Sequence, residues 1–234
     1  MFSLEHVVTV LITFAAIAAL VTAARLRPGP WTVPAARILA MVILVNEASW
    51  WVWNWAHGSY SLSYSLPLHL CDVAAFIAVF ALWFRTQLLV ELTYFWGIAG
   101  TANGIIEPDI GDHFPTFQFL QYFIQHGAIP AAALFLVVGL GIYPRPWAVM
   151  RIFFLTVALV VFDAFANLLT DGNYFYLREP PGGSNLLALF GPWPRYIFGG
   201  VLLAILFLGA LDLPFRISAL ARARSKSERY RRPA

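Results

Sequence analysis

Seven apolar runs, separated by short polar, glycine- and proline-containing stretches, succeed one another between residues 4 and 213 and dictate what this chain can fold into. Crossing a hydrocarbon core about 30 Å thick takes roughly 20 largely apolar residues per helix. A helix is needed because no water is present there to satisfy open backbone groups. Of the 234 residues, 60% are hydrophobic and 12% charged, about half the charged share of a soluble domain. That leaves too little polar surface to cover a water-soluble globule. The expectation is an all-α polytopic membrane protein: a bundle of about seven transmembrane helices over 1–215, then a basic, disordered tail over 216–234.

The runs place helices near 4–24, 34–55, 67–84, 88–106, 115–140, 147–169 and 193–213. Pro34, Pro67, Pro115 and Pro194 stand at helix starts, where a missing N–H removes a donor that has no helical partner anyway. The first run opens with Glu5 and His6 rather than a positive stretch, so it reads as a retained helix and not a secretory signal. Gly97, Gly100 and Gly104 share one face of the fourth helix, a surface that lets another helix approach closely.

Orientation follows from the basic residues, which accumulate on the cytoplasmic side. With seven spans, 13 of the 15 Lys and Arg fall on one side and two, Arg178 and Arg195, on the other. The N-terminus is therefore expected outside and the C-terminus in the cytoplasm. The outer loops are then 56–66, the acidic 107–114 with Glu107, Asp109 and Asp112, and 170–192. Trp50, Trp51, Trp53, Trp55 and Trp193 gather at the outer helix ends, the depth at which indole rings anchor to headgroups. The net charge of +3 reports this orientation, not nucleic-acid binding, since no basic patch is interleaved with aromatic residues. The run Arg222 to Arg232 suits anionic lipid headgroups, which contribute about 1 kcal/mol per basic side chain at the surface.

Ionisable groups inside a span cost about 2.5–3.5 kcal/mol each at a helix centre and so mark function or pairing. Here Glu47, His69, Cys71, Asp72, Asn103, Gln118, Gln121, Gln125, His126, Asp163 and Asn167 lie in the middle or outer half of their helices, with Glu91 near the inner end as the exception. Gln118, Gln121, Gln125 and His126 share a broad face of the fifth helix. The economical reading is a polar cavity opening outward and lined by helices two to six, with Glu47, His69, Asp72, Asn103, Gln121, Gln125, Asp163 and Asn167 on its walls.

Cys71, the single cysteine, stands one turn into the third helix, where N–H groups and the positive helix end favour a thiolate. It is either a nucleophile or a small buried hydrophobe, and His126 either its base or a packing histidine. His69 and Asp72, three apart, can pair. There is no metal-ligand or cofactor motif, no phosphate loop and no G-x-S-x-G elbow. A retinal protein is excluded because the only lysine, Lys226, lies in the tail. Transport through the polar cavity and non-catalytic lipid binding are the competing readings.

Several motifs carry a family resemblance: Leu66-Pro67-Leu68-His69-Leu70-Cys71-Asp72, Tyr94-Phe95-Trp96-Gly97-Ile98-Ala99-Gly100-Thr101, Glu107-Pro108-Asp109, Gln125-His126-Gly127, Asn173-Tyr174-Phe175-Tyr176-Leu177-Arg178 and Gly191-Pro192-Trp193-Pro194. Together they resemble the YwaF-like bacterial membrane proteins, relatives of the eukaryotic transmembrane protein 164 family, over nearly the whole chain. The resemblance implies a seven-helix enzyme of the bacterial inner membrane that transfers acyl groups on phospholipids, or hydrolyses a lipid ester where water is the acceptor, without a cofactor, through a thioester on Cys71 with His126 as base. Asn103, Gln125 and Asn167 have the chemistry to hold an oxyanion.

Overall fold

The computed structural model describes residues 3–108, 110–182 and 185–231; Asp109, Gly183 and the last residues of the tail lie outside the described residues. The described residues are helical, with no strand among them. They form seven helical rods, five of them long and apolar enough to cross a membrane.

α1 (Leu4–Leu26) starts on Ser3, whose hydroxyl accepts from the His6 amide, and carries Glu5 in its first turn, both stabilising choices at a positive helix end. α2 spans Thr32–Ala56. α3 (Leu70–Phe84) begins after His69 in extended conformation, so Pro67 stands three residues ahead of it, and it ends on Arg85 in the left-handed conformation. At 15 residues it reaches about 23 Å, short of a full hydrocarbon core. Its buried Ala74, Ala75, Ala78 and Ala81 let α2 and its other neighbours approach closely.

The fourth rod is composite. α4 (Gln87–Phe95) runs into a π turn (Trp96–Thr101) and then the single-turn α5 (Asn103–Ile106). α6 (Phe117–Leu134) likewise ends in a π turn (Phe135–Gly139). Of the five long apolar rods α6 is the central one, mostly buried while the other four are mostly exposed. α7 (Ala148–Thr170) and α8 (Arg195–Arg231) complete the bundle. α8 thus carries its helical trace through most of the segment 216–234. The outer rods expose apolar side chains such as Leu11, Ile12, Val161, Phe162 and Phe198, the surface a bilayer would cover.

Two polar structures tie the ends of the bundle. At one end, fully buried Glu91 accepts from the Arg145 amide at 2.9 Å, from Arg145 Nε at 3.0 Å and from Arg151 Nη2 at 3.1 Å. Arg216 continues the cluster, donating to the Arg145 carbonyl and pairing with Asp212 one turn away. The depth outlier among the polar residues is therefore an ion-pair knot joining α4, α7 and α8. At the opposite end, the Asn167 amide holds the backbone of Tyr174, accepting from its N–H at 2.7 Å and donating to its C=O at 3.0 Å. The Tyr174 hydroxyl donates to Leu62 O and accepts from Leu66 N–H. Burial holds this phenol above its ordinary pKa, so it stays neutral and serves in both directions. The segment entering α3 is thereby fixed to the end of α7.

Candidate active site around Cys71

Cys71 is half-buried in the first turn of α3, and its thiol donates to Asp72 Oδ1 at 3.4 Å. The Asp72 backbone N–H is in turn held by His69 O at 3.0 Å. The His69 ring packs against Tyr64, Tyr174 and Tyr176, with centroids 5.1 to 5.9 Å away. Tyrosines from two loops thus wall the entry to the helix that carries the thiol.

On α2, Asn46 Nδ2 donates to Gln121 O at 3.0 Å and to Gln125 Oε1 at 2.9 Å, and Gln125 Nε2 donates to Glu47 Oε2. Asn46, Glu47 and Gln125 are all buried. This chain clamps α2 to α6 and orients Glu47. Glu47 Oε1 has no hydrogen-bond partner among the described residues, and neither do both carboxylate oxygens of buried Asp163 on α7. Of the side chains read from sequence as the lining of an outward cavity, Glu47, Gln125, Asp163 and Asn167 are buried, and His69, Asp72, Asn103 and Gln121 are half-buried. Asn167 is spent on Tyr174, so its amide positions a loop. Asn103, by contrast, is only partly buried at the start of α5.

His126 sits on α6 with its ring stacked on Tyr122 at 4.0 Å, and its Nδ1–H donates to the Tyr122 carbonyl at 2.9 Å. A carbonyl only accepts, so the neutral ring carries its proton on Nδ1 and leaves Nε2 with a lone pair. Glycines of the composite rod set where this ring lies. A Cβ built on Gly104 would stand 2.3 Å from His126 Cδ2 and 2.9 Å from Nε2, and one on Gly100 would stand 2.4 Å from Leu70 Cδ2. Gly100 therefore receives Leu70, the chain neighbour of Cys71, and Gly104 receives the ring of His126; the Cys71 thiol bonds to Asp72 and the His126 ring to Tyr122, with no hydrogen bond between the two side chains. The glycines read from sequence as packing do pack closely, Gly97 and Gly104 against α6 and Gly100 against α3.

A scan of protein-family models decides the family: the TMEM164 family matches residues 1–212. The chain belongs to the TMEM164 family. Searches among curated proteins and among solved structures return no match. The match covers six rods whole and α8 as far as residue 212, and with five helices long and apolar enough to cross a membrane the chain is a multi-pass membrane protein of this family.

Sequence reasoning passed over two groups at this site. His6 is buried, and its Nε2–H donates to Ile105 O at 2.9 Å while its ring lies 5.9 Å from Phe123. It ties α1 to the residue beside Gly104; as the last polar side chain before a long apolar run, it had the signal of a histidine entering the bilayer. Tyr122 was legible as the i−4 neighbour of His126.

Proposed function

We propose that this TMEM164 family protein is a membrane-embedded lipid-modifying enzyme that transfers acyl groups on phospholipids through a thioester on Cys71, with His126 as the base. We further infer that it belongs to the YwaF-like bacterial branch, on the ordered motifs from Leu66–Asp72 to Gly191–Pro194, and that all seven rods span the inner membrane with the basic C-terminus in the cytoplasm. What supports the catalytic reading is that one glycine-bearing rod packs against both helices concerned, Gly100 against Leu70 next to Cys71 and Gly104 against the His126 ring, and that this ring carries its proton on Nδ1.

In this reading His126 Nε2 takes the Cys71 proton, and the thiolate attacks the ester carbonyl of a phospholipid. The C–O bond breaks, the lysolipid oxygen leaves with the proton from the imidazolium, and the acyl group stays on sulfur. An acceptor hydroxyl then gives its proton to Nε2 and attacks the thioester, which releases the thiolate and returns the proton to it. Thiol and ring must meet within hydrogen-bond reach or through one water. Asp72, which accepts from the thiol, orients it. The half-buried Asn103 stands beside Gly104 as a donor for the oxyanion.

Incubation of the purified protein with a phospholipid carrying an alkyne-tagged acyl chain tests this directly. A hydroxylamine-sensitive acyl adduct on Cys71 is expected, absent in Cys71→Ser and lowered about 100-fold or more in His126→Ala, the contribution of a general base. No adduct in any lipid mixture, together with acyl composition indifferent to Cys71→Ser, would sink the reading.

One observation favours a second reading, a proton-coupled transporter: buried Asp163 and Glu47 keep carboxylate oxygens with no partner among the described residues, and an unpartnered carboxylate inside a bilayer is a hallmark of proton relays. Solute flux in proteoliposomes that survives Cys71→Ser and stops in Asp163→Asn would establish it.

A further inference from the structure

A lateral groove of about 600 Å³ opens between α2, α3 and α6 on the bilayer-facing side of the bundle. Its walls are apolar, formed by Met41, Val42 and Val45 of α2, Trp83 of α3 and Ile124 of α6. It runs from Arg37 to Asn46 and Ser49. Arg37 and Ser49 are twelve residues apart on one helix, about 18 Å along its axis. That is close to the depth of one leaflet of a hydrocarbon core about 30 Å thick, and too short to seat a spanning helix.

The two ends differ in chemistry. The guanidinium of Arg37 lies 5.4 Å from the centre of the Trp83 ring and makes no hydrogen bond or ion pair with the described residues. Its five N–H donors face outward at the level where the helix begins, next to an indole, and a guanidinium so placed matches a phosphate. Neighbouring Arg85, by contrast, already donates to Thr32 O. At the other end Asn46 opens onto the groove while it donates to Gln125, which holds Glu47.

We propose that this groove is the acyl-chain site of a glycerophospholipid drawn sideways from the leaflet at the Arg37 end, with Arg37 holding the lipid phosphate and the chain reaching toward the Asn46–Gln125–Glu47 network. The proposal rests on the lipid reading of the function but not on the covalent step. The lipid enters the groove between α2 and α6 from the bilayer, not from water. Charge complementarity selects a phosphate-bearing lipid, and the length of one leaflet selects a single chain over a helix of a second copy.

The test uses the full chain in vesicles of phosphatidylglycerol bearing a diazirine in one acyl chain, with crosslinked peptides mapped after illumination. Labelling is expected to concentrate on the peptides holding Val42, Val45 and Ile124, and to persist in Cys71→Ser, which separates a failure of binding from a failure of the acyl-enzyme. Val42→Trp, or Ile124→Trp if the first variant does not fold, fills the groove and should lower labelling there about tenfold, leaving lipid-facing Val161 and Phe162 of α7 unchanged. Arg37→Gln should weaken labelling by the phospholipid but not by a diazirine diacylglycerol, which lacks the phosphate. Even labelling of all exposed faces, groove labelling indifferent to either tryptophan, or crosslinks joining two copies across the groove would each overturn the proposal.

Discussion

Gly104 stands so close to His126 that a β-carbon on it would fall 2.3 Å from the imidazole Cδ2. No real contact is that short, and the ring is held from behind by its stack on Tyr122 and by its bond to the Tyr122 carbonyl.

Gly104→Ala is therefore expected to push the ring off its position and to lower acylation of Cys71 about tenfold or more, as a misplacement of roughly 1 Å does in a positioned catalytic pair. Gly209→Ala is the matched control, because a β-carbon there meets nothing within 4 Å; it should leave acylation intact and gain up to about 1 kcal/mol from helix propensity. Rates of adduct formation by mass spectrometry read both. Equal rates in the Gly104 variant and the wild type would remove the glycine from the mechanism.

Tyr174→Phe keeps the ring against His69 but deletes the hydroxyl that serves Leu62 O and Leu66 N–H. Leaving those groups unpaired should cost about 1–3 kcal/mol, spent locally in the segment that enters α3. Hydrogen exchange at the Leu66 amide is expected to speed up while amides in the middle of α6 stay protected. Unchanged exchange at Leu66 would mean that Tyr174 does not clamp this loop.

Glu91→Gln removes the anion at the centre of a knot with two arginines. Breaking a fully buried pair costs about 3–5 kcal/mol, but the side chains of Arg145 and Arg151 are 48% and 36% exposed and can turn outward. A loss of about 2 kcal/mol in detergent unfolding is expected, against under about 1 kcal/mol for Asp212→Asn, whose pair with Arg216 spans a single turn. Equal losses would assign Glu91 no special place.

Topology is tested in the Cys71→Ser background. An impermeant maleimide should label Ser61→Cys on intact cells and Ser218→Cys only after permeabilisation, as the distribution of 13 and two basic residues requires. The reverse pattern would turn the bundle over and place the Cys71 end in the cytoplasm.

The seven rods were legible because apolar length is a strong, local signal: α1, α2 and α7 each lie within two residues of the expected bounds. The starts at Pro67 and Pro115 were less so. The chain stays extended at His69 and Thr116 before α3 and α6 begin, a choice made by tertiary partners such as Tyr174 and not by the proline. Cys71 and His126 stood out by residue type. The partner of the thiol, the tautomer of His126 and the bond from Gln125 to Glu47 did not, because each depends on two helices meeting at one height. Glu91 shows the same limit: its depth was readable, its arginines were not.

The π turn at Trp96–Thr101 has a consequence for register. A π turn holds one residue more than an α turn, so everything beyond it is rotated by about 100° relative to an unbroken α-helix. Deleting one residue such as Ala99 would let the rod relax to regular α geometry, shortening nothing essential yet swinging Gly104 away from α6 and presenting a bulkier neighbour to His126. The extra residue acts as a phase setting: the approach of Gly104 to His126 depends not only on which residues the rod carries but on how many precede them.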